Sequence, residues 1–282
     1  MTRMVKFFSA LATVTFLLFN SSVWAWNAMG HMIVAQLAYQ QISPTAKKKI
    51  DKLVNAMHED YAEITSFQQL AYWPDALRSQ KIDTYVHWHY IDNAIAVDNM
   101  PTKNLIDSDN ALWAYKLVGK VVANDHANPH EQARFLGFLI HIIADLHQPL
   151  HTVSRISLAT PNGDKGGNLF KVYLNHKATN LHKLWDSALG WLPKGNDINT
   201  AVQLADELNN KFPSDFFAKK PKNDNAESWV AEGITTAKNQ VYAIEYNADV
   251  NATYLRDGEL ATQQALALAG YRLANVLDQL FS

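Results

Sequence analysis

The 282-residue chain contains no cysteine. Disulfide bonds, cysteine nucleophiles and thiolate metal sites are therefore excluded. Any metal ion must bind to histidine, aspartate, glutamate or backbone groups. A protein of this composition that works outside the cytoplasm must depend for its stability on an apolar core or on metal ions.

An excess of basic residues is also missing. The chain has 25 Lys and Arg residues against 27 Asp and Glu residues, which gives a formal charge of −2. Proteins that hold nucleic acid by overall electrostatic attraction are normally basic. If the substrate is a polyanion, we expect the attraction to be local to the site.

No apolar run is long enough to span a membrane comfortably. A shorter run over residues 7–19 follows two basic residues and precedes small residues. This pattern predicts a secretory signal peptide over residues 1–25, cleaved between Ala25 and Trp26, and the alternative is an uncleaved anchor. We therefore expect a secreted or periplasmic protein. Loss of the two basic residues would change its formal charge from −2 to −4.

Linkers rich in proline, glycine or serine are absent, so residues 26–282 are predicted to form one domain. Helical periodicity dominates this stretch. Ser43-Pro44 and Asn128-Pro129 each place a capping residue before a proline at the first helical position. Further helices are predicted at about 29–41, 65–79, 107–124, 181–190, 197–211, 225–244 and 257–281. Strand character is limited to short stretches such as 168–174. The predicted fold class is all-α, with at most a small β-hairpin.

Two of the eleven histidines lie four residues before an aspartate. His141 and Asp145 would share one face of a helix, as would His182 and Asp186, with Cβ atoms about 5–6 Å apart. One such pair alone is more typical of helix capping or of a surface ion pair. The first pair, however, lies in an apolar run, where unpaired polar groups are costly. A buried hydrogen bond or metal coordination would satisfy it.

Two neighbouring features favour a metal ion. His151 follows Asp145 by six residues, after the turn at Pro149. Signal cleavage would also give Trp26 a free α-amine, with a pKa of about 7.7, five residues before His31. The amine and carbonyl of one residue can chelate a metal ion. The alternative interpretation of Trp26 is an aromatic residue at a processing site.

Six stretches resemble, in order, the trinuclear zinc nucleases, which are the S-one/P-one nucleases of fungi, the bifunctional nucleases of plants and their bacterial relatives. They are Trp26–His31, Trp73–Asp75, Trp88–Asp92, His141–His151, Gly166–Asn168 and Asn180–Asp186. The His141–His151 and Leu181–Asp186 stretches are the most specific. The resemblance implies a mainly helical domain of the phospholipase C and zinc nuclease type.

The resemblance also implies three zinc ions per chain. The implied ligands are Trp26, His31, Asp75, His89, His141, Asp145, His151, His182 and Asp186. The first ion would take Asp75, His89, His141 and Asp145. The second would take His31, Asp145 and the amine and carbonyl of Trp26, so that Asp145 bridges the two. His151, His182 and Asp186 would hold the third ion. Imidazole and carboxylate groups both suit Zn²⁺.

The activity implied by the resemblance is endonucleolytic hydrolysis of single-stranded DNA and RNA to 5′-phosphorylated products, accompanied by 3′-nucleotidase activity. Hydroxide generated at the zinc ions would attack phosphorus, and Asp145, Arg78 and Asn168 are the implied catalytic residues. Arg78 would contact the phosphate, while Tyr90 and Asp92 would bind the base. The alternative interpretations are that Arg78 is a solvated surface residue, that Asn168 only forms a turn, and that Tyr90 packs in the core. No protein partner is implied, and we expect a monomer.

The chain departs from the family pattern at Asn27 and Pro74, where glycine and alanine are more usual. The segment 154–165, which follows His151, is longer than in many members and leaves substrate preference open. The main enzymatic alternative is a zinc phospholipase C, which cuts a lipid phosphodiester. Its last ligand is typically glutamate, whereas this chain has Asp186. A non-catalytic, secreted zinc-binding protein is the other alternative.

Overall fold

The computed structural model describes residues 26–218 and 225–281, and the predicted signal peptide lies outside these ranges. The α-helices of the described part are α1 (Ala28–Gln41), α2 (Pro44–Asp60), α3 (Phe67–Ser79), α4 (Ala111–Val122), α5 (Pro129–Asp145), α6 (Leu181–Asp186), α7 (Ile198–Lys211), α8 (Ala226–Thr236) and α9 (Ala252–Phe281). The strands are β1 (Asn93–Ala96), β2 (Val153–Ile156), β3 (Lys171–Leu174) and β4 (Lys177–Asn180). Short 3₁₀ turns lie at Val86–His89 and Pro149–His151, and each ends in a histidine that the resemblance implies as a zinc ligand.

Side-chain caps determine where the principal helices begin. The Asn27 side chain accepts a hydrogen bond from the backbone of α1, and Ser43 and Asn128 do the same for α2 and α5. Pro44 and Pro129 occupy the first helical positions, where a missing N–H removes no intrahelical bond. Both proline starts predicted from the sequence are therefore confirmed.

Two helices lie in the interior of the molecule. Every residue from Met29 to Ala38 in α1 is buried, and so is every residue from Leu136 to Asp145 in α5. α1 packs against α3, α7 and α9, while α5 packs against α2, α3 and α4. Interior helices are apolar on most of their surface, so polar residues on them need partners. Both helices carry histidines that meet this need in the site described below.

The predicted fold class is confirmed, because the described chain is mainly helical and contains a small antiparallel hairpin. In this hairpin Lys171 of β3 lies opposite Asn180 of β4. The structure adds a parallel pair, β1 and β2, in which Asn93 lies opposite Val153. Each strand of that pair has four residues, and its partner lies far away in the sequence. A pattern local to either strand could not have predicted the pairing.

Some helix boundaries differ from the sequence-based expectation. The helix expected over 181–190 is interrupted after Asp186, because Ala188 and Leu189 adopt positive φ angles of 47° and 58°. The last helix starts earlier than expected, at Ala252. Among the described residues, no helix combines the length and apolar character needed to cross a membrane.

Candidate metal centre

Eight buried histidine and aspartate side chains converge from α1, α3, α5, α6 and the two 3₁₀ turns. Their ligand atoms form three groups, and within each group the atoms lie within 4.8 Å of one another. The groups are His31, Asp75 and His141, then His89, His141 and Asp145, and finally His151, His182 and Asp186. All eight are ligands that the family resemblance implies, so the fold brings these residues together.

Asp145 belongs to the second group and also lies close to His31 of the first. Its Oδ1 atom is 3.5 Å from His31 Nε2, and its Oδ2 atom is 3.1 Å from His141 Nε2 and 3.2 Å from His89 Nδ1. Asp75 Oδ1 is 3.8 Å from His141 Nε2 and 3.7 Å from His89 Nδ1. Asp145 therefore presents one carboxylate oxygen to His31 and the other to His89 and His141.

The third group adjoins the other two. On α6, His182 Nε2 is 3.4 Å from Asp186 Oδ2, as the four-residue spacing predicts. His151 Nε2 lies 3.9 Å from Asp186 Oδ1, and the His151 ring stacks on that of His182 with a centroid separation of 5.0 Å. The other ring nitrogen of His151 is 3.7 Å from Asp145 Oδ1. The three groups thus form one continuous cluster.

Backbone carbonyls orient three of the histidine rings. His141 Nδ1 bonds to the Ala71 carbonyl at 2.9 Å, His151 Nδ1 to the His89 carbonyl at 2.6 Å, and His182 Nδ1 to the Gly166 carbonyl at 2.6 Å. A carbonyl oxygen can only accept, so Nδ1 carries the proton in each ring. In the neutral form of each ring, Nε2 therefore has the lone pair that a metal-binding histidine requires.

Several polar atoms of the cluster are buried without a hydrogen-bond partner. They are His31 Nδ1 and Nε2, Asp75 Oδ1, His89 Nε2, Asp145 Oδ1 and His151 Nε2. Buried polar atoms in native proteins are nearly always paired, so this concentration requires an explanation. Imidazole nitrogens and carboxylate oxygens are the usual non-thiolate ligands of zinc. The donor set therefore fits zinc ions.

The pKa values of the buried aspartates indicate that their ionised forms need positive charge close by. Burial raises the pKa of Asp75 and raises that of Asp186 well above its ordinary value. Burial alone would raise the pKa of Asp145 as well, but His141 and His151 hold it well below the usual range. Asp145 and Asp75 in turn overcome the burial of His141 and raise its pKa to about 9. Metal ions here would stabilise the ionised carboxylates and displace the imidazole proton.

Trp26 is fully buried beside this cluster. Its Nε1 donates to the carbonyl of Ala144 at 3.0 Å, next to Asp145 in the chain. The following residue, Asn27, donates its backbone N–H to the carbonyl of Asp186 at 3.1 Å. The backbone at Trp26 is thus held between α5 and α6, which carry the ligands. The predicted cleavage would separate Trp26 from Ala25, which lies outside the described residues, so the cleavage stays a prediction.

Of the predicted substrate-contacting residues, Arg78 lies on the same helix as an implied metal ligand, Asp75. It is half-buried in the last turn of α3, three residues after Asp75. Burial raises the pKa values of Asp75 and Tyr90, and the charge of Arg78 opposes both shifts. Arg78 is therefore close enough to act electrostatically on both side chains.

The remaining predicted residues lie on loops. Asn168 is half-buried, and its side-chain amide donates to the carbonyl of Lys165 at 2.8 Å, within its own turn. Tyr90 is half-buried, and its ring meets that of His87 edge-on with a centroid separation of 6.0 Å. Burial, with help from Asp164 and Asp107, raises the pKa of Asp92 to about 7. Their roles in catalysis and binding stay predictions.

Asp164 is a supporting residue that the sequence did not reveal. It is 1% exposed, and its carboxylate accepts hydrogen bonds from Arg155 N and Tyr242 Oη, both at 2.8 Å. It also accepts a bond from the backbone of Gly167. Asp164 thereby holds the turn whose Gly166 carbonyl orients His182. In the sequence it is one more polar residue in a loop rich in glycine and asparagine.

Adjoining metal sites built from histidine and carboxylate ligands are a recurrent feature of enzymes that hydrolyse phosphate esters. The buried ligand cluster of this chain has the arrangement that is typical of that class of enzyme. A family model described as S1/P1 nuclease matches residues 26–282, and the chain belongs to this family.

Three relatives illustrate the relationship. The chain is 24% identical to endonuclease 2 of Arabidopsis thaliana, with 96% of each protein covered. It is 25% identical to nuclease S1 of Aspergillus oryzae, over 92% of this chain and 93% of that protein. It is 26% identical to nuclease P1 of Penicillium citrinum, over 90% and 97% respectively. The chain is therefore a nuclease, a hydrolase that acts on phosphodiester bonds. This conclusion decides against a non-catalytic zinc-binding protein.

Proposed function

We propose that this chain is an endonuclease that holds three zinc ions and hydrolyses single-stranded DNA and RNA to 5′-phosphorylated products, with additional 3′-nucleotidase activity. The observation that supports the proposal most directly is the buried cluster of eight ligand side chains, many of whose polar atoms have no other partner. The relatives named nuclease S1, nuclease P1 and endonuclease 2 agree with a nucleic acid substrate.

The fold preorganises the ligands of the proposed zinc ions. Asp145 would be a ligand shared by two of the ions, and His151, His182 and Asp186 would hold the third. Because backbone carbonyls fix the rings of His141, His151 and His182, these ligands need not reorient when substrate binds. Bound zinc supplies a Lewis acid that polarises phosphoryl oxygens and lowers the pKa of water to about 7. No side-chain nucleophile is required.

The substrate is proposed to bind beside this cluster. Arg78 presents a planar guanidinium that can donate two hydrogen bonds to a phosphate. Tyr90 can stack on a base, and Asp92 can accept hydrogen bonds from base amino groups. Stacking needs an open base face, so single strands should be preferred. Attack by water makes no use of the 2′-hydroxyl, so both DNA and RNA should be cut. Asn168 is proposed to lie next to the scissile phosphate.

The predicted signal peptide supports a place of action outside the cytoplasm. We propose that the chain is secreted or periplasmic and begins at Trp26 after cleavage of residues 1–25. The three zinc ions, less the charges of Asp75, Asp145 and Asp186, would leave a local excess of positive charge. That excess would attract a polyanion to a protein whose overall charge is negative. We also propose that it acts as a monomer.

The decisive experiment assays a chain that begins at Trp26 against single-stranded DNA, RNA and phosphatidylcholine vesicles, with zinc content measured in parallel. We expect three zinc ions per chain, products with 5′-phosphates, and loss of activity with a chelator. Replacement Asp145→Asn should lower kcat by at least about 100-fold. The control Asp125→Asn alters an aspartate that is 84% exposed and should have no effect.

Two results would overturn the proposal. Full nuclease activity in the presence of the chelator would show that zinc is not needed. Cleavage of phosphatidylcholine without cleavage of nucleic acid would support the phospholipase alternative and remove the base-binding roles of Tyr90 and Asp92.

A further inference from the structure

The β3–β4 hairpin is basic, although the protein as a whole is acidic. From residue 165 to residue 183 the chain contains no aspartate or glutamate, and its four lysines are Lys165, Lys171, Lys177 and Lys183. Both ends of this segment belong to the candidate metal centre, because the Gly166 carbonyl bonds to His182 Nδ1. The lysine-bearing segment 165–183 therefore starts and finishes next to the third ligand group, which is His151, His182 and Asp186.

One face of β3 is partly open to solvent. Side chains alternate along a strand, and Val172 points into the protein, where it is buried, as is Phe170 just before the strand. Lys171 and Tyr173 occupy the other face and are half-buried, and Leu169, which also precedes the strand, is 46% exposed. The Lys171 ammonium lies 4.7 Å from the centre of the Tyr173 ring. Cationic, aromatic and apolar groups are thus adjacent on this face.

A second segment extends this surface and makes it rigid. Tyr173 donates its backbone N–H to the Ala248 carbonyl at 2.9 Å, and Asn247 donates to the Lys171 carbonyl at 2.8 Å. β3 is therefore hydrogen-bonded on both edges, to β4 and to residues 247–250. Tyr246 lies at the start of this segment, is 51% exposed, and meets Phe170 edge-on at a centroid separation of 5.6 Å.

Acidic residues near this surface do not cancel its charge. The adjoining segment contributes Glu245 and Asp249, and Asp249 Oδ1 lies 3.5 Å from His176 Nδ1 at the hairpin turn. Against these two carboxylates the segment 165–183 has four lysines, two of them, Lys171 and Lys177, in the hairpin itself. The net charge remains positive, which is the sign that phosphate groups require.

We propose that Leu169, Lys171, Tyr173 and Tyr246, here named the hairpin platform, bind the nucleotides of a single strand that lie beyond the two joined by the scissile phosphate. Proteins that bind single strands combine positive charge along the phosphates with aromatic rings that stack on bases, and this surface has both. Tyr173 follows Gly166 by seven residues, so the two lie at most about 25 Å apart, a distance that a strand of several nucleotides can span. The inference rests on the proposed nuclease function.

The test compares a dinucleotide with a 12-nucleotide single strand, because only the longer substrate reaches the platform. Tyr246→Ala and Lys171→Gln should each raise KM for the 12-mer roughly tenfold and leave kcat and the dinucleotide kinetics unchanged. Lys171→Gln should also reduce the dependence of log KM on log salt by about one unit. Lys52→Gln removes an exposed lysine from α2 and serves as the charge-matched control.

Zinc content and circular dichroism show whether each variant is folded. Binding of a fluorescent phosphorothioate 12-mer gives a readout that does not depend on cleavage, and both platform variants should bind it roughly tenfold more weakly. Equal effects on both substrates, or unchanged binding of the 12-mer, would contradict the platform. A wild-type protein that cuts neither substrate would contradict the proposed function instead, and the binding measurement would still decide the platform.

Discussion

At the scale of single residues, Gly166 connects the backbone to the candidate metal centre. Its φ angle is +59°, a left-handed conformation that glycine adopts without strain. A β-carbon there would collide with the Leu150 carbonyl oxygen and would lie 3.3 Å from His182 Nδ1. The carbonyl of the same residue accepts the proton of His182. A side chain at this position would therefore displace a ligand of the third group.

We expect Gly166→Ala to lower the free energy of unfolding by at least about 2 kcal/mol, because backbone strain and the collision add. Zinc content should fall from three ions per chain towards two, with a loss of activity. The measurements are metal analysis and urea denaturation. Gly119→Ala is the matched control, since open space surrounds Gly119 in α4, and it should stabilise the protein by up to about 1 kcal/mol. Retention of all zinc by Gly166→Ala would contradict this role.

The family resemblance pointed to the eight side chains that the fold brings together, whereas the groups that orient them were not visible in the sequence. His141 and Asp145 share a helix face, but their spacing alone is more typical of a helix cap or a surface ion pair. The Ala71 and Gly166 carbonyls leave no trace in the sequence, because any residue has a carbonyl. Asp164 has a side chain suited to its role, but its partners Arg155 and Tyr242 become neighbours only in the fold.

At the scale of helices, a buried ion pair connects the end of α5 to α8 and α9. The Arg272 guanidinium of α9 is 4% exposed and forms two hydrogen bonds with the Glu232 carboxylate of α8, at 2.7 and 3.1 Å. It also lies 3.0 Å from His147 Nε2, two residues after Asp145. His147 Nδ1 donates to the Ile143 carbonyl at 2.7 Å, so Nε2 is the acceptor. This network supports the ligand-bearing end of α5.

Replacement Arg272→Met should destabilise the protein by about 2–3 kcal/mol, because it removes the hydrogen bonds that Arg272 forms with His147 and with the Glu232 carboxylate. Glu232 is 33% exposed, which keeps the loss at the lower end of the range for buried pairs. Arg134→Met is the control, since Arg134 is 34% exposed in its pairs with Asp60 and Glu131 and should contribute less than about 1 kcal/mol. Equal denaturation midpoints for the two variants would count against the network.

Helices were predictable where local chemistry marks their ends. Ser43 and Asn128 carry capping side chains directly before a proline, and both helices begin where expected. The helix expected from residue 107 instead begins at Ala111, because Asn110 caps it. The β1–β2 pair was missed, since its strands have four residues each and lie far apart in the sequence.

At the scale of the whole molecule, no disulfide bond links the helices, because the chain has no cysteine. Packing of the apolar core stabilises the fold, and metal ions at the candidate metal centre would add to this stability. The centre draws on α1, α3, α5 and α6 together, so bound metal ions would link helices distant in the sequence. Metal ions that bind only the folded chain stabilise it by mass action. Proteolytic maturation at Trp26 would add the N-terminus to this set of links.

Signal cleavage is therefore expected to complete the site. A chain that retains Ala25 has an amide in place of the Trp26 amine, and an amide nitrogen has no lone pair available for a metal ion. We expect it to bind one zinc ion fewer than the chain that begins at Trp26, and to have a kcat at least about tenfold lower. A chain extended by one alanine after Ser282 controls for the added residue and should match the chain that begins at Trp26. If the Ala25 chain held as much zinc and were as active, the second ion would depend on His31 and Asp145 with other partners, such as Asp75, whose Oδ2 atom lies 4.0 Å from His31 Nε2.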